Sequence, residues 1–196
     1  LFGLIICIAE SYRKNNAKWG KKLGIGCSLC LIVIITVNTW IKTPLTLTLL
    51  DVDQGDALLI ETPSKKTILI DVGKRHAKSV ILPALKHKGI NKIDLLVITH
   101  FDFDHYGSLK ELLPNIKIGH ILDNGNAFKK WPDYEKMLRK HGVSRHECST
   151  FERIEIDTVT FNFLGHASER DRFSTSENNQ SISTIIRYQK TSFLFT

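Results

Sequence analysis

Long apolar runs and shorter alternating ones divide the chain before any composition is counted. Residues 1–9, "LFGLIICIA", and 23–41, "LGIGCSLCLIVIITVNTWI", are almost free of charge. At 19 residues the second run is long enough, as a helix, to cross a hydrocarbon core of about 30 Å. Trp40 suits an anchor at its far interface. Between the runs, "ESYRKNNAKWGKK" carries Arg13, Lys14, Lys18, Lys21 and Lys22. The pattern predicts a membrane segment over 1–43: the end of one transmembrane helix, a basic cytoplasmic loop, and a transmembrane helix over 23–41. A signal peptide fits poorly, because the basic loop separates two apolar runs and no small-residue cleavage site follows.

After Pro44 the period changes. "LTLTLLDV", "ALLIET" and "TILIDV" predict three strands, with turns at "DQGD" and "TPSKK". "HAKSVILPALKHKG" has apolar residues at helical spacing and stops at Gly89. "KIDLLVIT" is a continuous apolar run of the kind that makes a buried strand. A short helix at "GSLKELLP", a strand at "IKIGHIL" and a helix at "WPDYEKMLRKHG" follow, the last with Pro132 in its first turn. "RIEIDTVTFNFLG" alternates as a hairpin turning near Asp157, and "ISTIIRY" and "TSFLFT" supply the final strands. Strands, then strand–helix alternation, then strands again predict a layered α/β domain over 44–196. The chain opens on Leu1 and closes on an apolar strand, so a fragment of a longer protein is expected.

Net charge alters this picture only by its distribution. The formal +7 suggests a nucleic-acid binder. Yet residues 1–43 hold 6 Lys/Arg against 1 Glu, and residues 44–196 hold 21 Lys/Arg against 19 Asp/Glu. The excess borders the apolar runs and is a topology signal, placing the domain after Trp40 on the extracytoplasmic side of a multi-pass cell-membrane protein. Cys7, Cys27 and Cys30 lie in the apolar segments and Cys148 stands apart from them, which excludes a disulfide framework in the domain.

The candidate chemistry sits in "THFDFDHYGS", residues 99–108. The run "DLLVIT" delivers His100 at a strand's carboxyl end, where sites gather in α/β folds. Asp102, Asp104 and His105 crowd the next five positions, and no Lys or Arg lies between residues 93 and 109 to pair with them. Imidazoles and carboxylates at this density are ligands for divalent ions. The plainer alternative is an acidic loop in which Asp104 caps a helix starting near Tyr106.

This segment resembles the metal-binding signature of the metallo-β-lactamase fold, in a variant with Asp at the second His position. Together with "LLDVDQGDALLIET", "TILIDVG", "VILPALKHKGINKIDLLVITHFDFDHYGSL" and "NNQSISTIIRY", it resembles the carboxyl-terminal domain of the ComEC competence proteins. The resemblance covers residues 45–196, with four motifs in the family's order. It implies a metallo-β-lactamase-like αββα sandwich, incomplete at its carboxyl end and preceded by a transmembrane helix. It further implies two divalent ions, Zn or Mn, with His100 and Asp102 on one and Asp104 and His105 on the other. His166 is a candidate third ligand of the first ion. Asp104 is the candidate catalytic residue; Asp56, Asp71, Asn179 and Ser181 are candidates for orienting the metal loop.

The activity implied is phosphodiester hydrolysis in a DNA-uptake protein. Single-stranded DNA would be the substrate, with membrane lipid and other competence proteins as partners. A membrane-anchored hydrolase of a small molecule and a non-catalytic domain of the channel are the rival readings. Asp53 and Ser108 stand where the family has Gly, so a strained backbone is expected at Asp53. Phe101 and Phe103 flank the motif as packing residues or as a base-stacking wall. The family's Gly-Asp turn, whose Asp bridges both ions, would follow Thr196.

Overall fold

The computed structural model describes residues 24, 26–33, 43–126, 131–148, 153–164 and 180–196. The chain divides into two compact units, Leu1–Lys42 and Thr43–Thr196. In the first, residues 26–33 are helical. The predicted spans 1–9 and 23–41 and the basic loop lie wholly or largely outside the described residues, among which no helix is long and apolar enough to cross a membrane.

The second unit is built on two sheets. The larger holds β1 (Thr46–Leu49), β2 (Leu58–Glu61), β3 (Thr67–Ile70), β4 (Lys92–Ile98), β5 (Lys117–Asp123) and β6 (Ser144–Glu147), side by side in chain order. The smaller is ordered β10 (Thr191–Phe195), β9 (Ser183–Tyr188), β8 (Val159–Leu164), β7 (Arg153–Ile156). β1, β2 and β3 are antiparallel, joined by short turns, whereas β3 to β6 run parallel. Parallel neighbours require crossovers. These are supplied by α1 (Lys78–His87), by α2 (Phe103–Tyr106) with α3 (Leu109–Leu112), and by α4 (Tyr134–Lys140).

Two apolar layers hold these elements. One face of the larger sheet, with Leu59, Leu69, Leu96 and Ile98, packs on Ile81 and Leu85 of α1, Leu109 and Leu112 of α3, and Leu138 of α4. The other face, with Ile60, Ile68, Ile70 and Val97, packs on Val159, Phe161, Phe163 and Ile186 of the smaller sheet. The continuous apolar run of β4 follows from this burial on both faces. The described residues therefore build an α–β–β stack, three layers of the expected αββα sandwich that is incomplete at its carboxyl end. The outer face of the smaller sheet leaves Leu164 and Leu194 exposed, with no described helix over it.

Two elements differ from the sequence prediction. β6, "SRHE", lacks the apolar pattern of a strand and forms at the sheet's edge by backbone pairing with β5. The helix α2 begins at Phe103, with Asp102 before it, so Asp104 stands in its first turn and does not cap a helix at Tyr106. The hairpin turn at Asp157 is as expected, and its carboxylate accepts a hydrogen bond from the Ser64 N–H at 2.8 Å, tying the turns of the two sheets together.

Candidate metal centre

The ends of β3 and β4 place the candidate residues. Ile68, Leu69 and Ile70 of β3 pair in parallel with Leu95, Leu96 and Val97 of β4, so both strands release their chains at one edge of the sheet. There Asp71 follows β3, and Thr99 and His100 follow β4. Asp71 adopts φ +58° and is fully buried. Its Oδ1 accepts the Thr99 N–H at 2.8 Å, and its Oδ2 accepts the Thr99 hydroxyl at 2.6 Å. His105 Nδ1 lies 2.7 Å from the same Oδ2.

This arrangement assigns the tautomers. Asp71 accepts from His105 Nδ1–H, which leaves Nε2 of His105 with its lone pair. The Thr99 hydroxyl, having donated to Asp71, accepts from His100 Nδ1 at 3.0 Å. Nε2 of His100 is then also unprotonated, and it is buried with no hydrogen-bond partner among the described residues. The two rings lie 3.9 Å apart between centroids. A carboxylate on the far nitrogen of an imidazole is the usual support of a metal-ligating histidine. A buried bare ring nitrogen otherwise goes uncompensated. The two imidazoles are thus held in the form that can ligate a divalent ion.

Electrostatics follow the same contacts. Burial lowers the His100 pKa, and the neighbouring His105 lowers it further, keeping this ring neutral. Burial works the same way on His105, but the hydrogen bond and charge of Asp71 more than offset it and raise its pKa. Burial raises the Asp71 carboxyl against the opposing hydrogen bonds from His105 and Thr99.

Three backbone approaches lock the loop. The Val72 N–H donates to His105 O at 2.8 Å, the Gly73 N–H to Asp56 O at 3.0 Å, and the Ser108 N–H to Gly73 O at 3.2 Å. Gly55, at φ +110°, passes so near that a Cβ there would lie 2.0 Å from the Asp104 carbonyl oxygen. This is why the "QGD" turn needs glycine. Asp53 sits at φ +70°, the left-handed conformation expected of a residue standing in for glycine. Ser108 does more than stand in for glycine. Its buried hydroxyl donates to Lys74 O and accepts the Lys78 N–H at 3.0 Å, joining the metal loop to the start of α1.

The remaining candidates fall out unevenly. Asp102 Oδ2 lies 3.6 Å from His100 Nε2, and Asp56 Oδ2 lies 3.9 Å from His105 Nδ1. Among the described residues no three His, Cys, Asp or Glu side chains converge closely enough to hold an ion between them. His166 and Asn179 lie outside the described residues. Ser181 is half-buried beside Gln180, and the next residue's N–H, that of Ile182, donates to Thr99 O at 3.0 Å. Phe101 and Phe103 part company: Phe101 is buried, and Phe103 is 54 % exposed. Phe103 begins an aromatic row, set edge-on to Tyr106, which contacts Trp131, which contacts Tyr134.

Sequence reasoning passed over Thr99, whose hydroxyl is the link between Asp71 and His100. It also passed over Asp123, at the end of β5. Asp123 is buried, takes both Arg145 Nε and Nη2 at 2.7 and 2.9 Å, and accepts the Tyr134 hydroxyl at 3.1 Å. Burial works against the Arg145 charge, and Asp123 more than offsets it, holding Arg145 above the usual guanidinium value.

Comparison with known proteins decides the family. Residues 50–196 match the family model described as the metallo-beta-lactamase superfamily. The chain belongs to this superfamily. It is similar to ComE operon protein 3 of Bacillus subtilis, at 27% identity over 179 residues, covering 81% of this chain and 22% of that protein. It is also similar to competence protein ComA of Neisseria gonorrhoeae, at 32% identity over 124 residues, covering 63% of this chain and 16% of that protein. The competence-protein resemblance of the motifs is thereby supported, although the chain spans only about a fifth of the length of these relatives. Among solved structures, the metallo-beta-lactamase fold protein YhfI from Bacillus subtilis superposes with a TM-score of 0.52 at 12% identity, covering 72% of this chain and 54% of that one. The class B3 di-zinc metallo-beta-lactamase LRA-12 from an Alaskan soil metagenome also gives 0.52, at 15% identity, with 76% and 57% covered. These likenesses establish the fold.

Proposed function

We propose that this chain is part of a DNA-uptake membrane protein and that its 44–196 domain is a metal-dependent hydrolase cutting DNA phosphodiesters. The observation that carries the reading is the bare, buried Nε2 of His100, set by the Thr99–Asp71–His105 chain of hydrogen bonds. An imidazole held in that state suits a metal ligand. His100, Asp102, Asp104 and His105 would hold two divalent ions, with His166 as a further ligand, and Zn²⁺ and Mn²⁺ both suit this donor set. Ions bound there would supply Lewis acidity and a nucleophile at neutral pH.

The chain's own residues do the rest. Asp71 fixes both imidazole tautomers, directly for His105 and through Thr99 for His100. Gly55 and Ser108 hold the loop against the "QGD" turn and α1. Asn179 and Ser181 stand in the segment that leads to Ile182 and the Thr99 carbonyl, as donors for a phosphate. Phe103 offers an exposed aromatic face beside the ligands for an unpaired base. The domain would work outside the cytoplasmic membrane, its uptake partners being other competence proteins.

The test uses the chain in its natural full-length protein, loaded with Mn²⁺ or Zn²⁺ and given single-stranded DNA. Hydrolysis is expected, and Asp104→Ala is expected to abolish it while the protein stays folded. Activity that survives Asp104→Ala would sink the two-metal assignment.

A further inference from the structure

A second pair of histidines lies on β5 and β6, sharing no residue with the centre described above. His120 pairs with Ser144 across the parallel ladder, and Leu122 pairs with His146. His120, Leu122 and His146 therefore stand on one face of the sheet, the face that meets the smaller sheet. The offset of two residues brings the rings diagonally together. His120 Nδ1 lies 3.2 Å from His146 Nε2, with ring centroids 5.4 Å apart. A cavity of about 570 Å³ opens beside them, walled by Leu95, Leu122, Ile154 and Ile156 and closed at one side by Asp94.

The spacing is informative. Two imidazole nitrogens at about 2.0–2.1 Å from one ion stand roughly 3.3–3.4 Å apart at a tetrahedral angle and roughly 2.9 Å apart at a right angle. The observed 3.2 Å falls between these values. Without an ion, one shared N–H fills the gap, so the pair accommodates one electrophile between its nitrogens. A divalent ion replaces that hydrogen bond once the donor ring moves its proton to its other nitrogen.

Neighbouring charge permits this. Lys66 and Lys92 also line the cavity, but both close on Asp94, at 3.8 and 2.9 Å. Arg153 pairs with Glu155. Cys148, two residues beyond His146, is buried. The two imidazole nitrogens are the donors that the geometry brings within reach of one ion. We propose that His120 and His146 form a second transition-metal site of the imidazole class, two-coordinate from protein and open to the cavity. It would take Cu²⁺ most tightly, with Ni²⁺ and Zn²⁺ weaker.

The test is a Cu²⁺ titration of the full chain carrying His100→Ala and His105→Ala, so that the outcome is independent of the first centre. Affinity is read by calorimetry and ligand nitrogens by electron paramagnetic resonance. One Cu²⁺ with two-imidazole coordination is expected. Adding His146→Gln or His120→Gln should weaken it more than about tenfold, since losing even an outer partner of a ligand costs roughly 10–100-fold. His120 is exposed, so its replacement leaves no cavity, and circular dichroism checks the fold of each variant. Equal Cu²⁺ affinity with and without either substitution, or a spectrum lacking two-nitrogen coordination, overturns the site.

Discussion

Replacing Gly55 by Ala tests how the "QGD" turn and the metal loop depend on each other. The new Cβ would lie 2.0 Å from the Asp104 carbonyl oxygen, 3.0 Å from its carbonyl carbon and 3.2 Å from its Cβ. The obstacle is backbone inside the first turn of α2, so no side-chain rotation relieves it. One segment must move by about 1 Å to restore ordinary contact, and φ +110° is unfavourable for alanine in any case. Strain of this kind costs about 1–3 kcal/mol. A displacement of about 1 Å at a site costs up to roughly 100-fold in function. Gly89→Ala is the control, because Gly89 also has positive φ, +69°, but nothing lies within 4 Å of its Cβ. Urea unfolding should show both variants destabilised, Gly55→Ala by the larger amount. Mn²⁺ or Zn²⁺ affinity, measured against a chelating dye, should fall by at least about tenfold in Gly55→Ala alone. Equal metal affinity in Gly55→Ala, Gly89→Ala and the unaltered protein would refute the claim that Gly55 positions the loop.

Further outcomes follow from other contacts. Arg145→Met leaves the buried Asp123 carboxylate without its two-point partner and should cost about 3–5 kcal/mol in urea unfolding, partly recovered when Asp123→Asn is added; a cost below about 1 kcal/mol would refute the pairing's importance. Phe103→Ala should leave stability within about 0.5 kcal/mol, since the ring is exposed. It should nevertheless weaken single-stranded DNA binding roughly 5- to 150-fold, the equivalent of about 1–3 kcal/mol of stacking; unchanged binding measured by fluorescence anisotropy would remove Phe103 from the DNA path. Cys148 has its pKa raised, so at pH 8 its thiolate is more than about a hundredfold scarcer than that of an ordinary thiol. A thiol reagent should reach Cys148 only in denaturant or well above pH 9; prompt labelling of Cys148 in the folded protein at pH 8 would contradict its burial.

The strands with continuous apolar runs were legible in the sequence because both their faces are buried, and periodicity reports burial. β6 was not, because an edge strand of polar residues is fixed by backbone pairing that leaves no mark on side-chain pattern. At the site, "THFDFDHYGS" announced its candidate ligand types by local density. Of its supports, Asp71 was reached through the family resemblance and Thr99 not at all, because the contacts are long-range: Asp71 and Thr99 stand 28 residues apart, and Asp71 and His105 stand 34 apart. The His120–His146 pair, 26 residues apart, is hidden in the same way. The difference between Phe101 and Phe103 also escaped pattern reading, since they straddle the passage from strand end to helix, where neither period applies.

The Asp71 carboxylate has a bearing on the order in which this domain becomes competent. Its three donors reach it only after β3 and β4 have paired in parallel, a long-range closure that is slow to form. The ligand loop cannot be organised by its own short sequence, so it should acquire its shape late in folding, with the sheet already in place. Conversely, the Thr99 amide is held by a buried carboxylate at the sheet's edge. It should exchange with solvent as slowly as the amides of β4 itself, although it lies one residue beyond the strand. Metal readiness would then be lost in the same cooperative step that opens β3 from β4, with no separate, earlier melting of the loop.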